Sequence, residues 1–317
     1  MSRIHEALKK AEQERAALQG GSAQSSFVAP QTLEPPIKDP GGAPPIAAEG
    51  HVPASVVPLT SGMPSFSSPF SVDNLLARCP QLQWKPDERT MLFFNGDDNT
   101  RGTEEFRTLR SRLYSARDKM ALKKILVTSA LPKEGKSFTA ANLAQVLVRQ
   151  PGRRVLLIDA DLRGPRLHKM LGTTSSPGLG DYLQGTGDEF SIMQRGSLES
   201  LFFVPSGGET SDPAELVSNG RLKLLLQRVE GLFDWIIVDS PPVVPVSDAS
   251  ILAKACDGVL LVVRSNTTPV DMARRARQEF PDQALVGVVL NGTEGAAVPY
   301  TRYYYETYEK NGNQSKT

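Results

Sequence analysis

Six short apolar runs constrain the fold of this chain more than any other feature. They are KILVTS (124–129), RVLLIDA (154–160), SLFFVPS (200–206), DWIIVDS (234–240), GVLLVV (258–263) and LVGVVLN (285–291). All are rich in Val, Ile and Leu and do not alternate with polar residues, so each predicts a strand buried on both faces. Helical patterns of roughly ten or more residues separate them, which predicts right-handed crossovers. The expected fold is α/β: a parallel β-sheet flanked by helices on both faces. Ligands of such sheets bind at the carboxyl ends of the strands.

Two of those ends carry chemistry. ALPKEGKS (130–137) follows the first run and precedes the helical FTAANLAQVLVRQ, the context that a phosphate-binding loop requires. Gly135 allows close approach of the backbone, and the amides of Gly135 to Ser137 point at an anion on the positive end of a helix. Lys136 is expected on the β- and γ-phosphates and the Ser137 hydroxyl on Mg²⁺. The ATP-binding stretch is expected to comprise Lys133, Glu134, Gly135, Lys136, Ser137 and Phe138. The chain is thus expected to be a P-loop NTPase.

LLIDADLR (156–163) places Asp159 and Asp161 at a second strand end, and WIIVDSPP places Asp239 at a third. Carboxylates this close repel unless a cation lies among them. Mg²⁺ supplies that charge and leaves one carboxylate free to accept a proton from an incoming hydroxyl.

Elsewhere composition changes sharply. Residues 20–72 hold ten prolines and four charged residues, Glu34, Lys38, Asp39 and Glu49. Such a segment cannot bury a core. The expected domains are a short helix at 1–19, for docking or self-association, a disordered linker at 20–75, a P-loop domain at 76–299 and a flexible tail at 300–317. Lys plus Arg total 36 and Asp plus Glu 35, so charge gives no sign of nucleic acid as a partner. Two cysteines, Cys79 and Cys256, match no metal-ligand spacing and fit a reduced cytosol. The N-terminus has no apolar core for a signal peptide, and no window approaches the ~20 apolar residues that span a bilayer. Membrane association is therefore expected only through a partner, at the inner face of the cell membrane.

The three motifs, in this order, resemble the Walker A, Walker A′ and Walker B sequences of the bacterial tyrosine kinases of capsule and exopolysaccharide synthesis, themselves related to MinD/ParA ATPases. The likeness covers about residues 82–310. It implies that Asp159 acts as base on a tyrosine hydroxyl while Asp161 and Asp239 organise Mg²⁺. Glu104, Arg107 and Arg110, in EEFRTLRSRL, look like that family's self-association motif and lie near one face of a helix. Tyr300, Tyr303, Tyr304, Tyr305 and Tyr308 crowd the end of a chain with seven tyrosines in all. They are the expected phosphoacceptors, delivered at high effective concentration to a neighbouring copy in a ring-like homo-oligomer. Asn291, closing the last run, is expected at the adenine, as in related ATPases.

By the same resemblance the partners are a membrane polysaccharide co-polymerase that activates the kinase, and a tyrosine phosphatase. One rival is a MinD/ParA-type assembly switch that hydrolyses ATP and phosphorylates nothing. Against it, Leu131 stands where those ATPases usually carry lysine. Another is a scaffold with lost turnover, which the intact Lys136, Ser137 and three aspartates disfavour.

Overall fold

A computed structural model describes residues 71–94 and 101–293. The expected N-terminal helix, nearly all of the expected linker and the tyrosine-rich tail lie outside these residues.

Seven strands form one sheet: β1 (Lys124–Ser129), β2 (Val155–Asp159), β3 (Gln194–Arg195), β4 (Leu201–Val204), β5 (Trp235–Asp239), β6 (Gly258–Arg264) and β7 (Leu285–Asn291). Their order is β3-β4-β2-β5-β1-β6-β7. All six predicted strands are present and pair in parallel. The seventh, β3, is an antiparallel edge of two residues, too short to leave a pattern in sequence.

Alternation along the strands feeds a core on each face. Leu126, Leu156, Ile158, Ile236 and Val238 point to one side. There they meet α5 (Leu179–Gln184), α6 (Pro213–Ser218), α7 (Arg221–Val229), α8 (Asp248–Ala253) and α9 (Val270–Gln278). Ile125, Val127, Val155, Leu157 and Ile237 point to the other. That side is covered by α2 (Arg101–Arg117), α3 (Lys136–Val148) and α4 (Leu167–Leu171).

Three expectations are corrected. The linker does not run to residue 75, because α1 (Val72–Arg78) starts earlier, capped by the Ser71 hydroxyl, which accepts from the Asn74 amide at 3.2 Å. Its Leu75 is fully buried, so the last residue of the expected linker belongs to the core. Among the crossover helices α3, with 13 residues, and α7 and α9, with nine each, are near the expected length, whereas α4, α5, α6 and α8 have only five or six. Gly178, Gly185 and Gly220 flank or cap the shorter ones. Finally, β7 is not buried on both faces: as the outer strand it leaves Val288 and Leu290 57% and 59% exposed.

A strap from residue 82 to 93 ties these layers together near the loop that ends β1. Lys85 N donates to Gly172 O at 3.1 Å and Asp87 N to Met170 O at 2.9 Å. Asn142, buried in α3, accepts from Leu92 N and donates to Thr90 O, each at 2.8 Å. Gly172 ends α4 with φ +63°, and a β-carbon there would lie 1.8 Å from the Lys85 carbonyl oxygen. Gly172→Ala is therefore expected to cost at least about 2 kcal/mol, from left-handed strain plus displacement of the strap. Gly152 has a similar φ of +73° with nothing within 4 Å, so Gly152→Ala is expected to cost only about 1 kcal/mol. Urea-unfolding midpoints of the two variants should separate in that order.

Candidate functional site

The site forms where β1, β2 and β5 end. After Ser129 the chain turns through residues 130–135 into α3, whose first residue is Lys136. Two left-handed residues make that turn, Lys133 at φ +66° and Gly135 at +99°. A β-carbon on Gly135 would lie 2.0 Å from the Asn291 side-chain nitrogen, so only glycine fits.

The loop is braced from the far edge of the sheet. Buried Glu134 accepts from Leu131 N at 2.9 Å and from the Thr268 hydroxyl. Arg264 Nη1 donates to Lys133 O at 3.2 Å, and Asn291 Nδ2 to Glu134 O at 2.9 Å. Asn291 is thus seated on the loop itself. Nothing in the sequence marked Thr268 or Arg264, because their partners are peptide groups and a glutamate more than 130 residues away.

The loop presents Lys136 and Ser137 to three carboxylates. Asp159 and Asp239 are neighbours across the β2–β5 ladder, and both are fully buried. Asp161 lies two residues beyond the strand. Lys136 Nζ contacts Asp161 Oδ2 at 2.5 Å and Ser137 Oγ at 3.4 Å. Asp159 accepts from Leu167 N at 3.1 Å and Asp161 N at 3.3 Å. Asp161 accepts from Gly164 N at 3.0 Å. Both Asp239 oxygens are buried without a hydrogen-bond partner.

Electrostatics follow from this crowding. Burial, then the Asp239 charge, push the Asp159 pKa well above the usual carboxylate range, against the Leu167 N–H bond. Burial likewise raises Asp239, although the Lys136 charge and the nearby Ser137 hydroxyl pull it down. Burial works against the Lys136 charge, but Asp239, Asp161 and Asp159 outweigh it and hold the ammonium above its ordinary pKa. Such an arrangement suits a ligand that brings further positive charge. Among the described residues no three His, Cys, Asp or Glu are grouped to cage a metal. Mg²⁺ needs no cage, since it is typically held by one or two carboxylates, substrate phosphate oxygens and water. Ser137, Asp161 and the unpartnered oxygens of Asp239 fit that donor set.

A cleft of about 560 Å³ opens over Lys133, Lys136, Ser137 and Phe138. Phe138 also packs edge-on against Phe106 of α2, ring centres 5.9 Å apart. Beside the acids, Arg163 makes a two-pronged pair with Asp248 Oδ2 and Oδ1, at 2.8 and 3.1 Å. Asp248 is 2% exposed and begins α8. The pair therefore clasps the Asp161 loop to the segment following Asp239. Of the expected self-association residues, Glu104 and Arg107 pair with each other along α2, and Arg110 Nη1 donates to Val146 O of α3 at 3.0 Å. Tyr300, Tyr303, Tyr304, Tyr305 and Tyr308 lie outside the described residues.

A tyrosine-protein kinase of Bacillus subtilis, YwqD, is 36% identical over 192 residues, covering 60% of this chain and 81% of the relative. The chain belongs to the bacterial tyrosine-protein kinases. Kinase CpsD of Streptococcus agalactiae is 32% identical, covering 63% of this chain and 88% of its own length. The kinase wzc of Salmonella typhimurium is 30% identical across 70% of this chain, which spans only 31% of that longer protein. A ParA family model, described as NUBPL iron-transfer P-loop NTPase, matches residues 121–316 and places the kinase among the P-loop NTPases. Among solved structures, the chimerical protein CapA2B2 superposes with a TM-score of 0.60 at 28% identity, over 67% of this chain and 92% of that one. The kinase domain of Escherichia coli tyrosine kinase ETK gives 0.57 at 30% identity, over 62% and 78%. As a member of this family the chain is an ATP-dependent protein-tyrosine kinase. No helix among the described residues is long and apolar enough to cross a membrane.

Proposed function

We propose that this kinase phosphorylates the tyrosine cluster at 300–308 in trans, within a homo-oligomer, and so regulates exopolysaccharide polymerisation and export. The observation that carries the reading is the buried trio Asp159, Asp161 and Asp239 gathered around Lys136. A phenol has a pKa of ~10, so attack at neutral pH benefits from a positioned base. Burial raises Asp159 towards the operating pH, where a general base works best. Asp159 accepts the tyrosine proton as the phenolic oxygen forms its bond to the γ-phosphorus. The bond from that phosphorus to the β,γ-bridging oxygen breaks, and ADP leaves with the electron pair. Lys136 and the amides at the start of α3 hold the phosphates in line. Ser137, Asp161 and Asp239 would hold Mg²⁺, which would supply positive charge against the triphosphate.

Each phosphotyrosine adds about −1.5 to −2 charge near pH 7, so the unmodified chain associates and the heavily modified chain disperses. Glu104, Arg107 and Arg110 are assigned to the contact between copies. A membrane activator with a cytoplasmic segment and a tyrosine phosphatase complete the cycle at the inner face of the membrane.

The test is direct. Purified chain is incubated with Mg-ATP and its phosphate mapped by mass spectrometry, beside Lys136→Met and Asp159→Asn. Label on residues 300–308, absent from both variants, is expected. Released phosphate with unlabelled tyrosines would instead support a MinD/ParA-type assembly switch.

A further inference from the structure

The segment that turns from Asp161 into α4 runs beside two adjoining cavities. One is the nucleotide cleft; the other is a recess of about 440 Å³ lined by Gly164, Pro165, Arg166, His168 and Lys169. Arg166 and Lys169 line both cavities and so form the ridge between them. Three neighbouring cations are already engaged: Lys136 on Asp161, Arg163 on Asp248, Arg264 on the Lys133 carbonyl. Arg166 and Lys169 are exposed, and among the described residues neither side chain has a hydrogen-bond or ion-pair partner. A buried His168 Nδ1 without a partner adds a further polar atom to the recess.

We propose that Arg166 and Lys169 form a docking subsite for an anionic group flanking the acceptor tyrosine of a second copy's C-terminal segment. The inference rests on the trans-phosphorylation reading above and adds to it what the enzyme recognises around its target. Two like charges on one ridge attract an anion, and a guanidinium grips carboxylate or phosphate with two parallel bonds. Residues 303–309, YYYETYE, carry two carboxylates and no cation. Glu306 follows Tyr305 directly and Glu309 follows Tyr308. In an extended chain, neighbours up to three residues apart lie within about 10 Å, the scale on which a ridge beside the cleft holds the anion while the tyrosine enters. A phosphotyrosine made earlier presents the same chemistry with more charge, so the subsite also favours a segment already phosphorylated once.

Fluorescence anisotropy of labelled peptides titrated with the full-length chain tests this without relying on catalysis. Three end-capped peptides share the sequence of residues 303–309: the native one, one with Glu306→Gln and Glu309→Gln, and one phosphorylated at Tyr308. Wild type is expected to bind the native and phosphorylated peptides more tightly than the neutral one. In Arg166→Gln/Lys169→Gln the Kd of the two anionic peptides should rise at least about fivefold, the scale of losing two exposed charge pairs. The neutral peptide should be unaffected, and added salt should shrink the preference. A response confined to the phosphorylated peptide would identify phosphate as the ligand. Equal binding of all three peptides by wild type, or an undiminished preference in the variant, overturns the proposal. So does a raised KM for ATP with peptide binding unchanged, which would assign both cations to the nucleotide. Peptide binding with no phosphorylation would leave the subsite standing and remove the kinase reading of the tail.

Discussion

Asp239→Asn is expected to raise the melting temperature of the nucleotide-free chain while abolishing tyrosine phosphorylation. Both Asp239 oxygens are buried without a hydrogen-bond partner, beside two further carboxylates. Burial raises its folded pKa above the unfolded value, so the folded state binds the proton more tightly. Stability linked to this group is therefore present below the unfolded pKa and lost as pH rises through the folded one. At pH 7, above both values, the ionised side chain is therefore a net cost to the folded state. An amide of the same shape removes that cost, which amounts to a few degrees in a chain of this size. It also removes a ligand for Mg²⁺. Wild type should gain stability on adding Mg-ATP, and the variant much less. Differential scanning fluorimetry with and without Mg-ATP reads both effects. A lower melting temperature in the bare variant would mean that the carboxylate is satisfied by something other than a cation.

Lys136→Met should act in the opposite direction on stability and the same direction on activity. Lys136 is 7% exposed, and its ammonium faces Asp161, Asp159 and Asp239. Methionine keeps much of the apolar stem but leaves these carboxylates without that charge. Removing one partner of a buried pair can cost about 3–5 kcal/mol, though protonation of the remaining acids will offset part of it. Phosphorylation should fall by at least about 10²–10³-fold, the scale of losing one preorganised charge on a transition state. The double variant Lys136→Met/Asp239→Asn should be more stable than the sum of the single changes predicts, since contacting residues couple. Strict additivity would separate the two side chains energetically and weaken the account of the site as one charge cluster.

Much of this was legible in the sequence because it depends on local pattern. Six strands and the loop at 130–137 announce themselves through apolar runs, glycine and a lysine–serine pair. The aspartates are legible because each sits one step from the end of such a run, and parallel pairing then brings them together. The strap and the brace were not legible. Asn142 meets Thr90 and Leu92 across some fifty residues, and Thr268 meets Glu134 across 134. Only the folded chain sets those distances. Arg163 is not assignable from sequence, because Asp248 becomes its partner only when the segment after β5 folds back. Arg110 reads as a surface residue of a helix, yet its Nη1 also donates to a carbonyl of α3.

Pairing across the ladder keeps Asp159 and Asp239 side by side. Adjacent strands lie about 4.8 Å apart, and that spacing belongs to the main chain. No swing of a side chain carries one acid into solvent, away from the other. Discomfort at this spot is thus woven into the sheet, and the arrival of fuel relieves a tension that the backbone itself imposes.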